Sequence, residues 1–297
     1  MTTQHRYTLL ASLLLLASLA KAQTVPELPR IVVNIFIDQL RSDYLEAFSP
    51  LYGEGGFMRL MREGKMYTQA EYPFAAPDRA SSIACFATGT SPYENGIVGL
   101  RWLDRQTLSP VFCVEDKNFA GIETAERLSP QYLGVSTLGD EMKVASDGAA
   151  VVLSVAPQSD EAILSAGHAA DGAFWIDDAT GSWCSTSYYF PQTPKWLYVY
   201  EGQQSLGSRI KNIVWEPLNE SVGNFNYFVA GGVKKPFSHK FISDRRFREM
   251  KASPCVNEEV NRFVEHLMHY TSLGVDGITD MLNVPYYPGL HAHRPIT

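Results

Sequence analysis

Residues 31–43 read IVVNIFIDQLRSD, an apolar run that ends in a carboxylate, and the rest of the fold is interpreted from this stretch. The run is rich in β-branched residues and has too little alternation for a half-exposed strand. It therefore predicts a strand covered on both faces, as in parallel α/β sheets. Asp38 would lie where the strand ends, the edge at which ligands bind in such sheets, so it is a candidate metal ligand. The alternative is that Asp38 caps the helix that follows.

The composition bounds the class of protein. With 297 residues, 45% of them hydrophobic, the chain can bury a full α/β core, in one large domain or in a domain with an inserted cap. The net charge of −7 and the absence of a basic stripe argue against a nucleic-acid or anionic-membrane partner.

The first 22 residues have the features of a secretory signal peptide. A polar start is followed by an apolar run over residues 9–19 and by the small-x-small triplet Ala20-Lys21-Ala22. The apolar run is too short to span a bilayer as a stable helix. We therefore expect a periplasmic or secreted protein that begins near Gln23 and has no membrane span. In an oxidising compartment the four cysteines could form up to two disulfides, although a buried free thiol is an equal alternative for Cys85.

Helical and strand patterns alternate after Asp38, as expected for an α/β protein. We predict helices over residues 56–63, 80–87, 137–145 and 254–269, and strands over 67–72, 149–155, 173–176 and 277–284. The helix over 56–63 should place Phe57, Leu60 and Met61 inward.

Residues 75–99, AAPDRASSIACFATGTSPYENGIVG, carry the most specific signal in the chain. Pro77 and Asp78 make a turn, a helix of small residues follows, and Thr88-Gly89 ends it. This arrangement places one side chain at a helix N-terminus, where free amides and the helix dipole favour an anion. A nucleophile that attacks phosphate belongs at that position.

Here the sequence resembles the alkaline phosphatase superfamily, closest to the periplasmic phosphate-irrepressible phosphatases and the type I phosphodiesterase/nucleotide pyrophosphatases. The motifs are Asp38-Gln39-x-Arg41-x-Asp43-Tyr44, Asp78-Arg79-Ala80-Ser81-Ser82, Thr88-Gly89-Thr90-x-Pro92, Gly96-Ile97-Val98, and Ala162-Ile163-Leu164 with Gly167-His168. They extend from residue 30 to about 284. The resemblance implies an α/β phosphoester hydrolase with two zinc ions, one of them bound by Asp38, and a Ser or Thr nucleophile at the start of the small-residue helix. It assigns no metal to His168, which is therefore interpreted as structural.

The nucleophile position falls on Arg79, and a guanidinium cannot form a phosphoryl intermediate. Ser82 lies about one turn deeper and Ser81 points to a different face, so neither hydroxyl is expected to replace the nucleophile. A further hypothesis is that the Arg79 guanidinium lies near the vacated zinc position and pairs with Asp38.

The positions that would hold the phosphate oxygens depart from the resemblance as well. Leu100 or Arg101 stands where the family has an asparagine, and the family's Lys-x-Arg pair aligns with Gln158 and Asp160. An aspartate there should repel a phosphate.

The last stretch matches the family in part. The family's strand at 277–284 leads to an Asp ligand and a His four residues later, and these slots hold Gly289 and His293, which makes His293 a weak candidate metal ligand. Adventitious metal binding by His291 and His293 is a further expectation. Relatives continue further and supply an Asp-His pair and a final His. We therefore predict incomplete zinc sites and a sheet with an open outer edge at 277–284, which would favour a homodimer or another partner.

These observations predict an α/β core with a mostly parallel sheet flanked by helices, incomplete at the C-terminus, and an aromatic-rich α+β cap. The predicted divisions are a signal peptide (1–22), the core (23–180), the inserted cap (181–250) and the continued core (251–297). The predicted function is a catalytically impaired pseudoenzyme that binds a small molecule or a protein. The alternative is a metal-dependent phosphoester hydrolase with an unrecognised nucleophile or with metal sites completed by another chain.

Overall fold

The computed structural model describes residues 28–218, 226–228 and 234–288. In chain order, its strands are β1 (Ile31–Ile37), β2 (Arg101–Leu103), β3 (Pro110–Phe112), β4 (Gly121–Ile122), β5 (Val152–Val155), β6 (Gly172–Ile176), β7 (Trp183–Thr186), β8 (Val214–Trp215), β9 (Asn226–Phe228), β10 (Lys234–Pro236), β11 (His239–Lys240) and β12 (Asp280–Tyr286). The helices are α1 (Ser42–Ala47), α2 (Gly56–Glu63), α3 (Arg79–Thr88), α4 (Pro92–Asn95), α5 (Leu138–Ala145), α6 (Ser159–Ala166), α7 (Lys195–Gln204), α8 (Leu206–Arg209), α9 (Arg246–Lys251) and α10 (Val256–Tyr270).

Six strands form the main sheet in the order β1-β12-β5-β6-β7-β4. The first four are parallel, and β7 and β4 pair in the antiparallel sense. The prediction of a mostly parallel α/β sheet flanked by helices is confirmed. Parallel pairing brings the carboxyl ends of β1, β12, β5 and β6 to the same edge.

The sheet separates two cores because alternate residues of its strands point to opposite faces. Along β6, Phe174 and Ile176 belong to one buried cluster, while Ala173 and Trp175 belong to the other. Helices α7 and α10 pack on the first face, and α3 and α6 pack on the second.

The edge of the sheet differs from the prediction. Strand β12 lies between β1 and β5, so the expected open edge at 277–284 is wrong. Strand β1 lies at the edge instead, because β12 is its only strand partner within the described residues. Its predicted cover on both faces is also wrong, since Val33 and Ile35 are 46% and 53% exposed. Association with a second copy or another partner stays a prediction, although the edge from which it was expected lies inside the sheet.

Two local predictions between β1 and α3 are wrong. Helix α2 has the predicted bounds, but it buries no residue, and Leu60 is exposed. Residues 67–72 form no strand. Periodicity and β-propensity report which side chains could be buried, and packing partners decide whether they are.

The aromatic-rich region contributes to the main core. Strand β7 pairs with β6, and the ring of Trp183 stacks on Phe263 of α10 at a centroid distance of 4.0 Å. Leu197 and Tyr200 of α7 belong to the same cluster. The division of 181–250 into an inserted cap stays a prediction. All four cysteines are free, so the suggested disulfides are absent. Over the described residues, no helix has the length and apolar character needed to cross a membrane.

Candidate functional site

The start of α3 is held by a capping box around Asp78. Its Oδ1 accepts hydrogen bonds from the Ser81 amide at 2.9 Å and the Ser81 hydroxyl at 2.8 Å, and Ser81 Oγ accepts from the Asp78 amide. The other oxygen, Oδ2, accepts from the Leu100 amide at 2.6 Å. The helix ends at Gly89, whose φ of 68° is left-handed. The local sequence therefore fixes the first residue of α3, Arg79, and brings Leu100 beside it.

Arg79 forms a bidentate ion pair with Asp160 in the first turn of α6. Arg79 Nε donates to Asp160 Oδ2 at 2.8 Å, and Arg79 Nη2 donates to Oδ1 at 2.9 Å. Only 19% of the arginine side chain and 3% of the aspartate side chain are exposed. Burial alone would lower the pKa of Arg79, but the Asp160 carboxylate raises it above its ordinary value. The guanidinium is therefore permanently charged, as expected from its chemistry.

This pairing corrects the hypothesis that Arg79 pairs with Asp38. Helices α3 and α6 pack side by side, so their first turns meet at one edge. Asp160 can reach the guanidinium with both oxygens there, and the N-terminus of α6 favours its negative charge. Asp160 is thus buried against an arginine and does not face the cleft.

Asp38 lies at the carboxyl end of β1, as predicted. Its backbone amide donates to the Tyr286 carbonyl at 3.1 Å. Its carboxylate accepts from the side-chain amide of Gln39 at 3.1 Å. Gln39 has a left-handed φ of 58°, which turns the chain as it leaves the strand. Helix α1 begins after Arg41 without a side-chain cap, so the interpretation of Asp38 as a cap is wrong.

A cleft of about 580 Å³ opens at this edge of the sheet. Residues that line it include Asp38, Tyr72, Arg79, Ser82, Leu100 and Tyr287. Of the residues predicted for the site, the structure thus brings Asp38, Arg79 and Leu100 together. Gln158 precedes α6 without a side-chain capping bond, and neither it nor Asp160 lines the cleft. Gly289, His291 and His293 lie outside the described residues.

Two residues near the cleft were not found from the sequence. The ring of Tyr287 lies 5.5 Å from the Arg79 guanidinium carbon, a cation–π distance, and Asn257 holds the Tyr287 backbone through two hydrogen bonds. Glu161 is fully buried, and its two carboxylate oxygens have no hydrogen-bond partner among the described residues. Burial, with the Asp160 charge, raises the pKa of Glu161 well above its ordinary value and favours the neutral acid. From sequence, an acidic pair in a first helical turn indicates only a favourable helix dipole.

The zinc ions that the resemblance implies need several donor side chains that converge on one point. In the ranges the structure covers, no three His, Cys, Asp or Glu side chains converge on one point. Asp38 therefore has no set of co-ligands there, whereas a protein zinc site uses three or four. The described residues do not fit a zinc centre.

His168 lies at another place, beside Asp140 of α5. Its Nδ1 is 3.4 Å from Asp140 Oδ2, and its amide donates to Oδ1 at 2.8 Å. The hydrogen bond with Asp140 raises the pKa of His168. Burial alone would raise the pKa of Asp140, but hydrogen bonds from His168 and from the backbone hold it below its ordinary value. The interpretation of His168 as structural agrees with this position.

The pair predicts a pH dependence of stability. The stabilisation from His168 is complete below its unfolded pKa of about 6.5 and is lost as the pH rises through the raised folded pKa. The Asp140 contribution is present above about pH 4 and is lost as the pH falls. Because 38% of the His168 side chain is exposed, its effect should stay below about 1 kcal/mol. In urea unfolding from about pH 6 to 8, His168→Gln should remove this fall in stability. The exposed control His269→Gln should keep the fall, and a fall that persists in His168→Gln would contradict the assignment.

The mostly parallel sheet, with a strand-end carboxylate and a helix N-terminus at one cleft, defines an alkaline-phosphatase-like α/β protein. Residues 32–253 match the family described as type I phosphodiesterase/nucleotide pyrophosphatase. The chain belongs to this family and to the alkaline phosphatase superfamily.

Named relatives and a solved structure agree with this assignment. The chain is 33% identical over 276 residues to alkaline phosphatase PhoV of Synechococcus elongatus and 29% identical over 280 residues to alkaline phosphatase PafA of Elizabethkingia meningoseptica. These alignments cover 88% and 89% of this chain but 50% and 51% of the relatives. The crystal structure of wild-type PafA superposes with a TM-score of 0.76 at 26% identity, over 87% of this chain and 52% of that one. The chain therefore spans about half the length of the curated relatives it matches.

Proposed function

We propose that this chain is a catalytically silent member of the family, whose cleft binds a ligand or partner without hydrolysing a phosphoester. The observation that supports this most is the ion pair between Arg79 and Asp160. Arg79 stands at the nucleophile position that the resemblance implies, and Asp160 stands at a position implied to hold a phosphate oxygen. Arg79 has no hydroxyl that could attack a phosphate, and the carboxylate of Asp160 repels one. The two side chains neutralise each other's charge.

The same pair removes two contributions to catalysis. An oxygen nucleophile is missing at the start of α3, and the arginine that could hold a phosphate has its Nε–H and an Nη2–H committed to Asp160. Ser82 is only 7% exposed and lies a turn deeper in α3, so it does not restore the nucleophile. Loss of transition-state donors alone costs about 3–4 kcal/mol each in comparable sites.

Hydrolysis assays test this proposal. Purified protein with added zinc should hydrolyse p-nitrophenyl phosphate and bis(p-nitrophenyl) phosphate no faster than zinc alone. Arg79→Thr should remain inactive, because the substitution leaves the Asp160 carboxylate unpaired beside the introduced hydroxyl. Turnover by the unaltered protein in the ordinary range of about 1–10³ s⁻¹ would contradict the proposal.

A second candidate is a metal-dependent phosphoester hydrolase whose site is completed by another polypeptide. Asp38 supports it, because this carboxylate lines the cleft and, among the described residues, accepts one side-chain hydrogen bond, from Gln39. Zinc in the purified protein at about one ion per chain or more, lost in Asp38→Asn, would favour this candidate. In either case, export to the periplasm or the medium is the proposed location, and it rests on the sequence of residues 1–22.

A further inference from the structure

Strand β1 ends the main sheet within the described residues, where β12 is its strand neighbour. The strand is open to solvent, since Val33 and Ile35 are 46% and 53% exposed. An apolar edge strand offers a row of backbone donors and acceptors to another strand. The chemistry of this surface therefore selects a β-strand as its partner.

The direction of the backbone groups decides which residues of β1 can pair outward. The Asp38 amide donates to the Tyr286 carbonyl. The Arg30 carbonyl accepts from the Asp280 amide. Even-numbered residues thus turn their backbone groups toward β12, and odd-numbered residues turn theirs outward, because successive residues of a strand alternate. The outward set is Ile31, Val33, Ile35 and Ile37.

An antiparallel pairing of β1 with a second copy of itself uses this whole set. With the two-fold axis at Asn34, Val33 of each copy lies opposite Ile35 of the other as a hydrogen-bonded pair. Ile31 lies opposite Ile37 in the same way, and the Ile37 carbonyl also accepts from the Leu40 amide at 3.4 Å. The pairing is therefore centred on the two exposed apolar residues, Val33 and Ile35.

Charge complementarity selects the same register. Arg30 of one copy lies opposite Asp38 of the other, on the face of the sheet that carries Asn34. Arg30 is exposed and Asp38 is half-buried, so this pair aligns the strands more than it strengthens their binding.

The neighbouring registers are less favourable. A shift by two residues in one direction places Ile37 opposite Pro29, which has no N–H to donate. The shift in the other direction places Ile31 opposite Gln39, whose left-handed φ of 58° turns the chain out of the strand. Both shifts also separate Arg30 from Asp38.

We propose that the chain forms a two-fold symmetric dimer in which the β1 strands of two copies pair antiparallel about Asn34, with Arg30 of each copy against Asp38 of the other. The two six-stranded sheets then join into one. Because Asp38 lines the cleft, each copy supplies an arginine to the cleft of the other. The inference goes beyond the proposed function, since the pairing depends on β1 and not on the ion pair of Arg79.

Sedimentation of the full chain over about 1 to 200 µM should show a reversible equilibrium between monomer and dimer. Ile35→Lys should weaken the dimer by about tenfold or more, because a lysine on an edge strand opposes pairing. The control Val144→Lys, at a side chain of α5 that is 72% exposed, should leave the affinity unchanged. Arg30→Asp should weaken the dimer, and adding Asp38→Arg to it should restore the affinity.

Cysteine cross-linking tests the register. Residues that face each other at a non-hydrogen-bonded antiparallel pair have Cα atoms about 4.5 Å apart, within the range of a disulfide. Under mild oxidation, Asn34→Cys should give a covalent dimer linked through position 34. Val33→Cys, whose two copies lie diagonally, should not cross-link to itself, and neither should the control Val144→Cys. Circular dichroism checks that each variant is folded.

Several outcomes would overturn the inference. A monomer at every concentration would show that this edge is closed within one chain. A dimer that both Ile35→Lys and Arg30→Asp leave intact would place the interface on another surface. A dimer that cross-links through position 33, or that the exchange of the two charges fails to restore, would contradict the register. If Ile35→Lys does not fold, the exposed Arg30→Asp decides the result.

Discussion

Replacing Arg79 with alanine is expected to lower the free energy of unfolding by about 3–5 kcal/mol, the range for breaking a buried ion pair. The cost arises because Asp160, with 3% of its side chain exposed, keeps a desolvated charge and loses two hydrogen bonds. Urea unfolding followed by circular dichroism measures the change.

A surface ion pair supplies the matched control. Arg41 and Asp43 also form two hydrogen bonds, at 2.9 and 2.6 Å, but their side chains are 65% and 59% exposed. Arg41→Ala should therefore leave the unfolding midpoint unchanged. Replacing both buried partners, as Arg79→Met with Asp160→Leu, should recover most of the lost stability. An unchanged midpoint in Arg79→Ala would show that the pair does not stabilise the fold.

Replacing Glu259 with alanine is expected to have an effect of similar size, about 3–5 kcal/mol. Glu259 is 2% exposed and accepts hydrogen bonds from Trp183 Nε1 at 3.1 Å and Tyr200 Oη at 2.8 Å, and it pairs with Arg209 Nη2 at 2.5 Å. The substitution leaves three donors without their acceptor between the main sheet and helices α7, α8 and α10.

The neighbouring residue on α10 is the control for this network. Glu258 is exposed, so Glu258→Ala should change the unfolding midpoint little. Tryptophan fluorescence reports the transition directly, because Trp183 is one of the donors. If Glu259→Ala and Glu258→Ala have equal stabilities, the network contributes nothing and the account of this core is wrong.

The sheet and its helices could be predicted because local patterns suffice for them. Helix α3 has its turn, its small residues and its glycine stop within one short stretch, and the structure gives Arg79–Thr88 against the predicted 80–87. Asp38 lies at the strand end for the same reason, since the apolar run of β1 ends there. The position of a side chain along an element follows from neighbours in sequence.

The partners of the site residues could not be predicted in the same way. Arg79 and Asp160 are 81 positions apart, and their pairing depends on how α3 packs against α6. From sequence, each of the two is a separate departure from the resemblance, whereas in the structure their side chains form one ion pair. The exposure of β1 was missed for a related reason, because an apolar run shows that a strand can be buried and its neighbours decide whether it is.

A double-mutant cycle on Arg79 and Asp160 tests most directly whether these two residues form a coupled ion pair in place of a nucleophile and a phosphate-binding group. It needs the free energies of unfolding of the unaltered protein, Arg79→Met, Asp160→Leu and the double variant. The account predicts a coupling energy of at least about 2 kcal/mol, with each single variant less stable than the double. A coupling below about 0.5 kcal/mol would contradict it, because the two residues would then act independently.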